Sequence, residues 1–238
     1  MISEYENDEK LKSIELGQHD VPETLLIPQK LYGYSFYFQT LLSVFDLAKS
    51  SFEVVFIVGK SGTGKSALVY ELYKPVIQND GMFICGKYDI SSAEPYSALL
   101  EAFSNFCDDL LLRDEPTITK FTHKILESIG DEGKLLTDVI SNLHLLIGDQ
   151  PSVSDAYGQV AKNRFHYAFV KFIKAICSVG YPIVLILEDL QWIDAESFSL
   201  LSMFMTEKSI KGLMLVCNYR DNEASANHLI SSLINILE

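Results

Sequence analysis

Residues 59–66, GKSGTGKS, constrain this chain more than any other stretch, because they satisfy G-x-x-x-x-G-K-[ST] at every fixed position. At average glycine content, a chain of this length shows that pattern by chance about once in a hundred. Its flanks narrow the choice further. FEVVFIVG (52–59) is an apolar run that ends on glycine and reads as a buried strand. Residues 65–73 are helix-forming, with Pro75 placed to kink or end the helix. Strand, glycine-rich loop and helix in that order make a phosphate cradle. Without Cβ atoms in the way, the backbone N–H groups of Gly59, Lys60, Ser61, Gly62, Thr63 and Gly64 turn inward around an anion. The helix starting near Gly64 points its positive end at the same anion. Lys65 is expected to reach the β- and γ-phosphates of a nucleotide, and Ser66 to offer its hydroxyl to Mg²⁺. No Asn/Thr-Lys-x-Asp segment for guanine occurs, so ATP is the expected nucleotide.

The rest of the chain alternates strand and helix patterns. A helix is expected over 36–49, strands over 81–89, 181–189 and 212–219, and helices over 95–112, 159–178 and 195–205, with two or three shorter helices before His144 and a last one at HLISSLINIL. IGDQPSVSDAYG (147–158) has loop composition. The strand at 181–189 is apolar almost throughout and must be covered on both faces, which implies a parallel sheet between helical layers. Residues 1–30 are acidic and weakly patterned, and read as a flexible lead-in to a core over 31–238. The chain starts without the apolar region of a signal peptide, and its longest apolar runs fall far short of the ~20 residues of a membrane span; the expected setting is cytoplasmic, with no membrane partner. Net charge of −13 argues against a nucleic-acid surface, which needs a basic stripe to replace counterions. The four cysteines show neither CxxC spacing nor a nearby histidine partner, as befits core thiols.

A nucleotide site also needs carboxylates. LILEDLQWIDAES (185–197) supplies Glu188 and Asp189 at the end of a buried strand, about 120 residues after the phosphate loop, and Asp194 five residues further on. The sequence segments LYG (31–33), GKSGTGKSALVYEL, FICGKYD, PYSALLEAF, NRFHYAFVKFI, LILEDLQWIDAES and LMLVCNYRDNEASANHL occur in this order. Together they resemble the AAA-type ATPase domain of the STAND class, in the version found inside large signalling proteins between serine/threonine kinase-like and histidine kinase modules. The resemblance covers roughly residues 20–238.

That resemblance implies a P-loop NTPase three-layer sandwich of the additional-strand, catalytic-acid type. It places the phosphate loop on Gly59–Ser66 and the acid pair on Glu188 and Asp189. Arg220, in the YRDNE segment (219–223), takes the position that senses the γ-phosphate, and Leu31, Tyr32 and Gly33 lie near the adenine. Glu188 is the expected Mg²⁺-shell residue together with Ser66, and Asp189 is expected to orient the attacking water. The chain departs from the family at Tyr34 and Ser35, where an Arg and a Glu are usual, and in its Glu-Asp order where Asp-Asp is frequent. Asp189 is one methylene shorter than the glutamate usual in nucleotide-hydrolysing sites, which predicts slow turnover. The sequence stops at Glu238, ahead of the fifth strand and helical lid of such domains, so a fragment, a truncated gene product or a chain needing a partner is expected. Loss of that strand leaves 52–58 on an open sheet edge, where self-association or a protein partner is expected.

Of the remaining candidates, Asp194 reads as the N-cap of the next helix. Arg164 reads as a structural ion pair, Arg113 as solvated beside Asp114 and Glu115, and Trp192 as packing. The expected function is an ATP/ADP switch with Mg²⁺-dependent, slow hydrolysis. A non-hydrolysing nucleotide-gated scaffold is the alternative, with a DNA loader disfavoured by the charge.

Overall fold

Strands Phe52–Val58 (β1), Met82–Lys87 (β2), Ile183–Glu188 (β3) and Leu213–Tyr219 (β4) form one parallel sheet in the order β1–β4–β3–β2. A computed structural model describes residues 33–91, 94–154, 156–224 and 228–237 of the chain. The predicted lead-in over 1–30, and Leu31 and Tyr32 of the adenine-side segment, lie outside the described residues. The helices are Ser35–Ala48 (α1), Lys65–Tyr70 (α2), Tyr73–Gln78 (α3), Ser97–Leu111 (α4), Glu115–Ile129 (α5), Gly133–Thr137 (α6), Leu143–Ile147 (α7), Gly158–Ser178 (α8), Ala195–Met205 (α9), Asp221–Ala224 (α10) and His228–Asn235 (α11).

Side chains alternate across the sheet, and the two sets find different cores. Val184, Ile186, Met214 and Val216 pack with Leu41 and Phe45 of α1, Leu68 and Val69 of α2 and Val76 of α3. Leu185, Leu187, Leu215 and Cys217 face the larger core built by α4, α5, α8 and α9. The architecture is therefore the expected α/β three-layer sandwich. β4 lies between the loop strand β1 and the acid strand β3. Among the described residues β1 pairs on one side alone, with β4, and stands at an edge as the sequence predicts. No helix among them is long and apolar enough to cross a membrane.

Register aligns the strand ends: Val58 sits opposite Tyr219, and Lys87 opposite Glu188. The segments leaving the C-terminal ends of all four strands thus emerge along one side of the sheet, where parallel α/β folds build their sites.

Two sequence expectations need correction. Pro75 neither kinks nor ends the helix begun at Lys65; that helix stops at Tyr70, and Pro75 lies in the first turn of the separate helix α3. A proline is tolerated there because first-turn N–H groups have no partner within the helix. Arg113 is not simply solvated. It is half-buried, donates to the Gly81 carbonyl at 2.9 Å and touches the Met82 sulfur at 3.5 Å, capping the start of β2.

Gly86 is fixed by packing. A Cβ built on it meets the backbone carbonyl oxygen of Ala98 at 1.8 Å, since α4 crosses directly over β2. Backbone cannot swing away as a side chain can. Gly86→Ala is therefore expected to cost about 3 kcal/mol and to lower the melting temperature by about 10 °C. A thermal scan showing a drop below about 2 °C would mean that α4 slides freely on the sheet.

Candidate functional site

β1 runs directly into the glycine loop. Gly62 and Gly64 take left-handed conformations, with φ of 77° and 85°, which a Cβ would oppose. Gly64 then stands at the N-terminal boundary of α2. The Lys65 ammonium lies across the loop and donates to the carbonyls of Gly59 at 2.8 Å and Lys60 at 2.9 Å. The Thr63 hydroxyl donates to the same Lys60 carbonyl at 2.9 Å.

β3 carries Glu188 to its last position, and the next residue changes direction. Asp189 is left-handed, with φ of 53°, a conformation that aspartate tolerates better than most residues. Asn218, near the end of β4 and 2% exposed, holds both acids. Its amide nitrogen donates to a Glu188 carboxylate oxygen at 3.1 Å, and its amide oxygen accepts the Asp189 N–H at 3.0 Å. The Asp189 carboxylate accepts from the Gln191 amide at 3.0 Å and lies 3.4 Å from the Lys87 ammonium and 3.3 Å from the Arg220 guanidinium. Gln191 in turn accepts the Arg220 backbone N–H at 3.2 Å. The result is one carboxylate held between two cations, supported by buried amides.

Loop and acids share one cleft of about 350 Å³, lined by Ser61, Gly62, Gly64, Lys65, Ser66, Ala67, Lys87, Glu188, Asp189, Asn218 and Arg220. The fold thus brings together most of the sequence-nominated residues from three separate segments. Gly59, Lys60 and Thr63 belong to the same loop but are not among the cleft-lining residues. Gly33 is exposed just ahead of α1, with φ of 83°.

Among the described residues no group of three His, Cys, Asp or Glu side chains could hold a metal by itself. The cleft offers a divalent cation few oxygens, the Ser66 hydroxyl and the Glu188 and Asp189 carboxylates foremost. That sparse oxygen set suits Mg²⁺, which keeps several waters and takes further ligands from substrate phosphates. Cys85 is half-buried and accepts from the Tyr70 hydroxyl at 3.5 Å. Burial pushes its thiol above the ordinary value, which keeps it protonated and poorly nucleophilic.

Asp194 is separate from this chemistry. Its carboxylate accepts the N–H groups of Glu196 at 3.0 Å and Ser197 at 2.8 Å, capping α9. Asp194→Ala is expected to cost about 1–2 kcal/mol and lower the melting temperature by about 3–6 °C, with nucleotide binding unchanged. Reduced affinity in that variant at unchanged melting temperature would move Asp194 back into the site. Arg164 makes the structural pair expected of it, 2.7 Å from Glu132, and also donates to the Ser154 carbonyl at 2.9 Å. Trp192 packs against the larger core.

Sequence reasoning missed Lys87, Asn218 and Gln191. Asn218 did leave a signal, being the one strongly polar residue in the strand LMLVCNY, where an unpaired amide would be costly to bury. Lys87 ends an otherwise apolar strand, which is a weaker cue.

The chain has relatives among known proteins. The chain is 28% identical over 200 residues to hybrid signal transduction histidine kinase G of Dictyostelium discoideum, an alignment covering 84% of this chain and 6% of that protein. It is 21% identical over 204 residues to histidine protein kinase 1 of Candida albicans, covering 76% and 8% respectively. The chain therefore spans less than a tenth of the length of these curated relatives. Among solved structures, a bacterial conjugative coupling protein in its unbound monoclinic form aligns at 13% identity with a TM-score of 0.33, over 81% of this chain and 68% of its own. The profile of the AAA ATPase domain family matches residues 30–216, a span that includes the phosphate loop and the acid strand. With most of its length matched, the chain belongs to the AAA ATPase domain family.

Proposed function

We propose that this chain binds ATP with Mg²⁺ and hydrolyses it slowly, serving as a nucleotide switch of the STAND type within signalling proteins. The observation that carries the reading is the single cleft in which the loop residues Ser61, Gly62, Gly64, Lys65 and Ser66, the acids Glu188 and Asp189, and the cations Lys87 and Arg220 converge. Loop amides and Lys65 bind the phosphates, and Ser66 with Glu188 holds the cation. Bound there, Mg²⁺ would neutralise charge building on the phosphoryl oxygens. Asp189 orients the attacking water and accepts its proton, while Arg220 stabilises the γ-phosphate as charge develops. The adenine-side role of Leu31, Tyr32 and Gly33 belongs to the same proposal. The two relatives are named as histidine kinases, which supports a signalling setting. The edge at β1, unpaired on one side among the described residues, is the proposed surface for self-association or a protein partner, since unpaired strand edges recruit strands.

The second reading, a non-hydrolysing nucleotide-gated scaffold, draws on the engagement of Asp189 by Lys87, Arg220 and Gln191, which leaves little of its carboxylate for water. Calorimetric titration with ATP, with and without Mg²⁺, tests the shared part of both readings. Phosphate release over hours then separates them. Absence of ATP binding in the wild-type chain rejects both.

A further inference from the structure

The phosphate loop is tethered from outside. Tyr34, the residue just ahead of α1, donates its hydroxyl to the main-chain carbonyl of Thr63. Thr63 lies between Gly62 and Gly64, both left-handed, and a Cβ at Gly62 would meet nothing within 4 Å. Left-handed glycines on both sides give the Thr63–Gly64 peptide a backbone freedom that other residues would deny it.

Among the described residues no peptide bond is cis, so the carbonyl and N–H of one peptide point in opposite directions. Holding the Thr63 carbonyl against Tyr34 therefore sets the direction of the Gly64 N–H in the same peptide plane. Gly64 lines the cleft and Tyr34 does not, so the carbonyl is held on the outer side and the N–H turns inward, where a phosphate needs donors. The anchor itself is firm. The Tyr34 carbonyl accepts the Phe38 N–H at 2.9 Å, opening α1, and α1 buries Leu41, Phe45 and Ala48 against the sheet.

We propose that Tyr34 is a positioning residue for phosphate recognition: its hydroxyl, carried by α1, fixes the Thr63–Gly64 peptide so that the Gly64 amide faces the bound phosphates. The proposal rests on the nucleotide reading above and adds a determinant to it. It differs from a contact with the adenine, which residues near Gly33 would otherwise be expected to make, because it acts on any ligand carrying the polyphosphate.

The test titrates the 238-residue chain and its Tyr34→Phe variant with ATP and, separately, with inorganic triphosphate, alongside thermal melting. Removing one hydroxyl from the tether is expected to weaken both ligands by the same factor, about three- to tenfold, with the melting temperature moving by no more than about 2 °C. Replacing Tyr34 with 4-aminophenylalanine, which keeps the ring and a donor, is expected to restore both affinities. Equal affinities in wild type and Tyr34→Phe would overturn the proposal while leaving the nucleotide reading intact. So would a loss confined to ATP, which would assign Tyr34 to the base, or a loss that the amino variant does not recover. Wild-type protein that binds neither ligand removes the nucleotide reading, and this proposal with it.

Discussion

Lys65→Ala is expected to lower ATP affinity about a hundredfold while leaving the fold in place. In the loop, the Lys65 ammonium donates to the Gly59 and Lys60 carbonyls at 2.8 and 2.9 Å, so it already stands within the ring of groups that would surround a phosphate. A charge-assisted hydrogen bond is worth about 1.5–3 kcal/mol, and the upper end applies where a lysine meets a multiply charged polyphosphate. At about 1.4 kcal/mol for each factor of ten, the upper end corresponds to roughly a hundredfold. Stability should change little, because the carbonyls released by the substitution can turn to water at the cleft. Equilibrium titration with ATP, paired with a melting curve, checks both halves. Unchanged affinity in Lys65→Ala would refute the phosphate cradle, and a large drop in melting temperature would recast Lys65 as a structural strap.

The second large effect concerns turnover. Asp189→Asn is expected to slow phosphate release about 10²–10³-fold, with ATP affinity equal to or tighter than wild type. Asparagine keeps an oxygen for the Gln191 amide, which donates to Asp189 at 3.0 Å, so the turn should persist. What disappears is a negative charge between Lys87 and Arg220, at 3.4 and 3.3 Å. Freed of that partner, both cations attract an incoming polyphosphate more strongly, which is why affinity should not fall. Single-turnover measurement of phosphate release, run beside ATP titration, separates the two effects. Wild-type turnover in Asp189→Asn would take Asp189 out of the mechanism. Weakened binding would show that its carboxylate organises the cleft more than it serves the chemistry.

Much of the scaffold was legible because its signals are local. The run IVLIL (183–187) had to be a doubly covered strand, since each of its positions demanded burial, and it became most of β3 in the interior of the sheet. The helix expected over 195–205 has those bounds, fixed by Asp194 as its cap. Boundaries set by chain geometry were harder. Pro75 breaks a helix interior yet suits a first turn, and residue order alone does not say which turn it occupies. Arg113 is followed in sequence by the charged Asp114 and Glu115, whereas in space it meets a carbonyl thirty-odd residues away.

The candidate site divides in the same way. By itself the sequence determined the phosphate loop, because its chemistry depends on glycines at fixed spacing within eight residues, and it determined that acids end a buried strand. What it left undecided is how both acids come to face one cleft. Two adjacent residues on a regular strand point to opposite faces, so Glu188 and Asp189 reach one cleft only because Asp189 turns left-handed. Asn218 holds them there from a strand that lies beside β3 in space and 30 residues away along the chain. Lys87 and Arg220 arrive from β2 and from the segment after β4, on either side of β3. Sheet order and register decide which strand ends stand together, and long-range pairing sets both. The proposed ligand was therefore legible in one short segment, whereas the surroundings of the Asp189 carboxylate exist only in the assembled sheet.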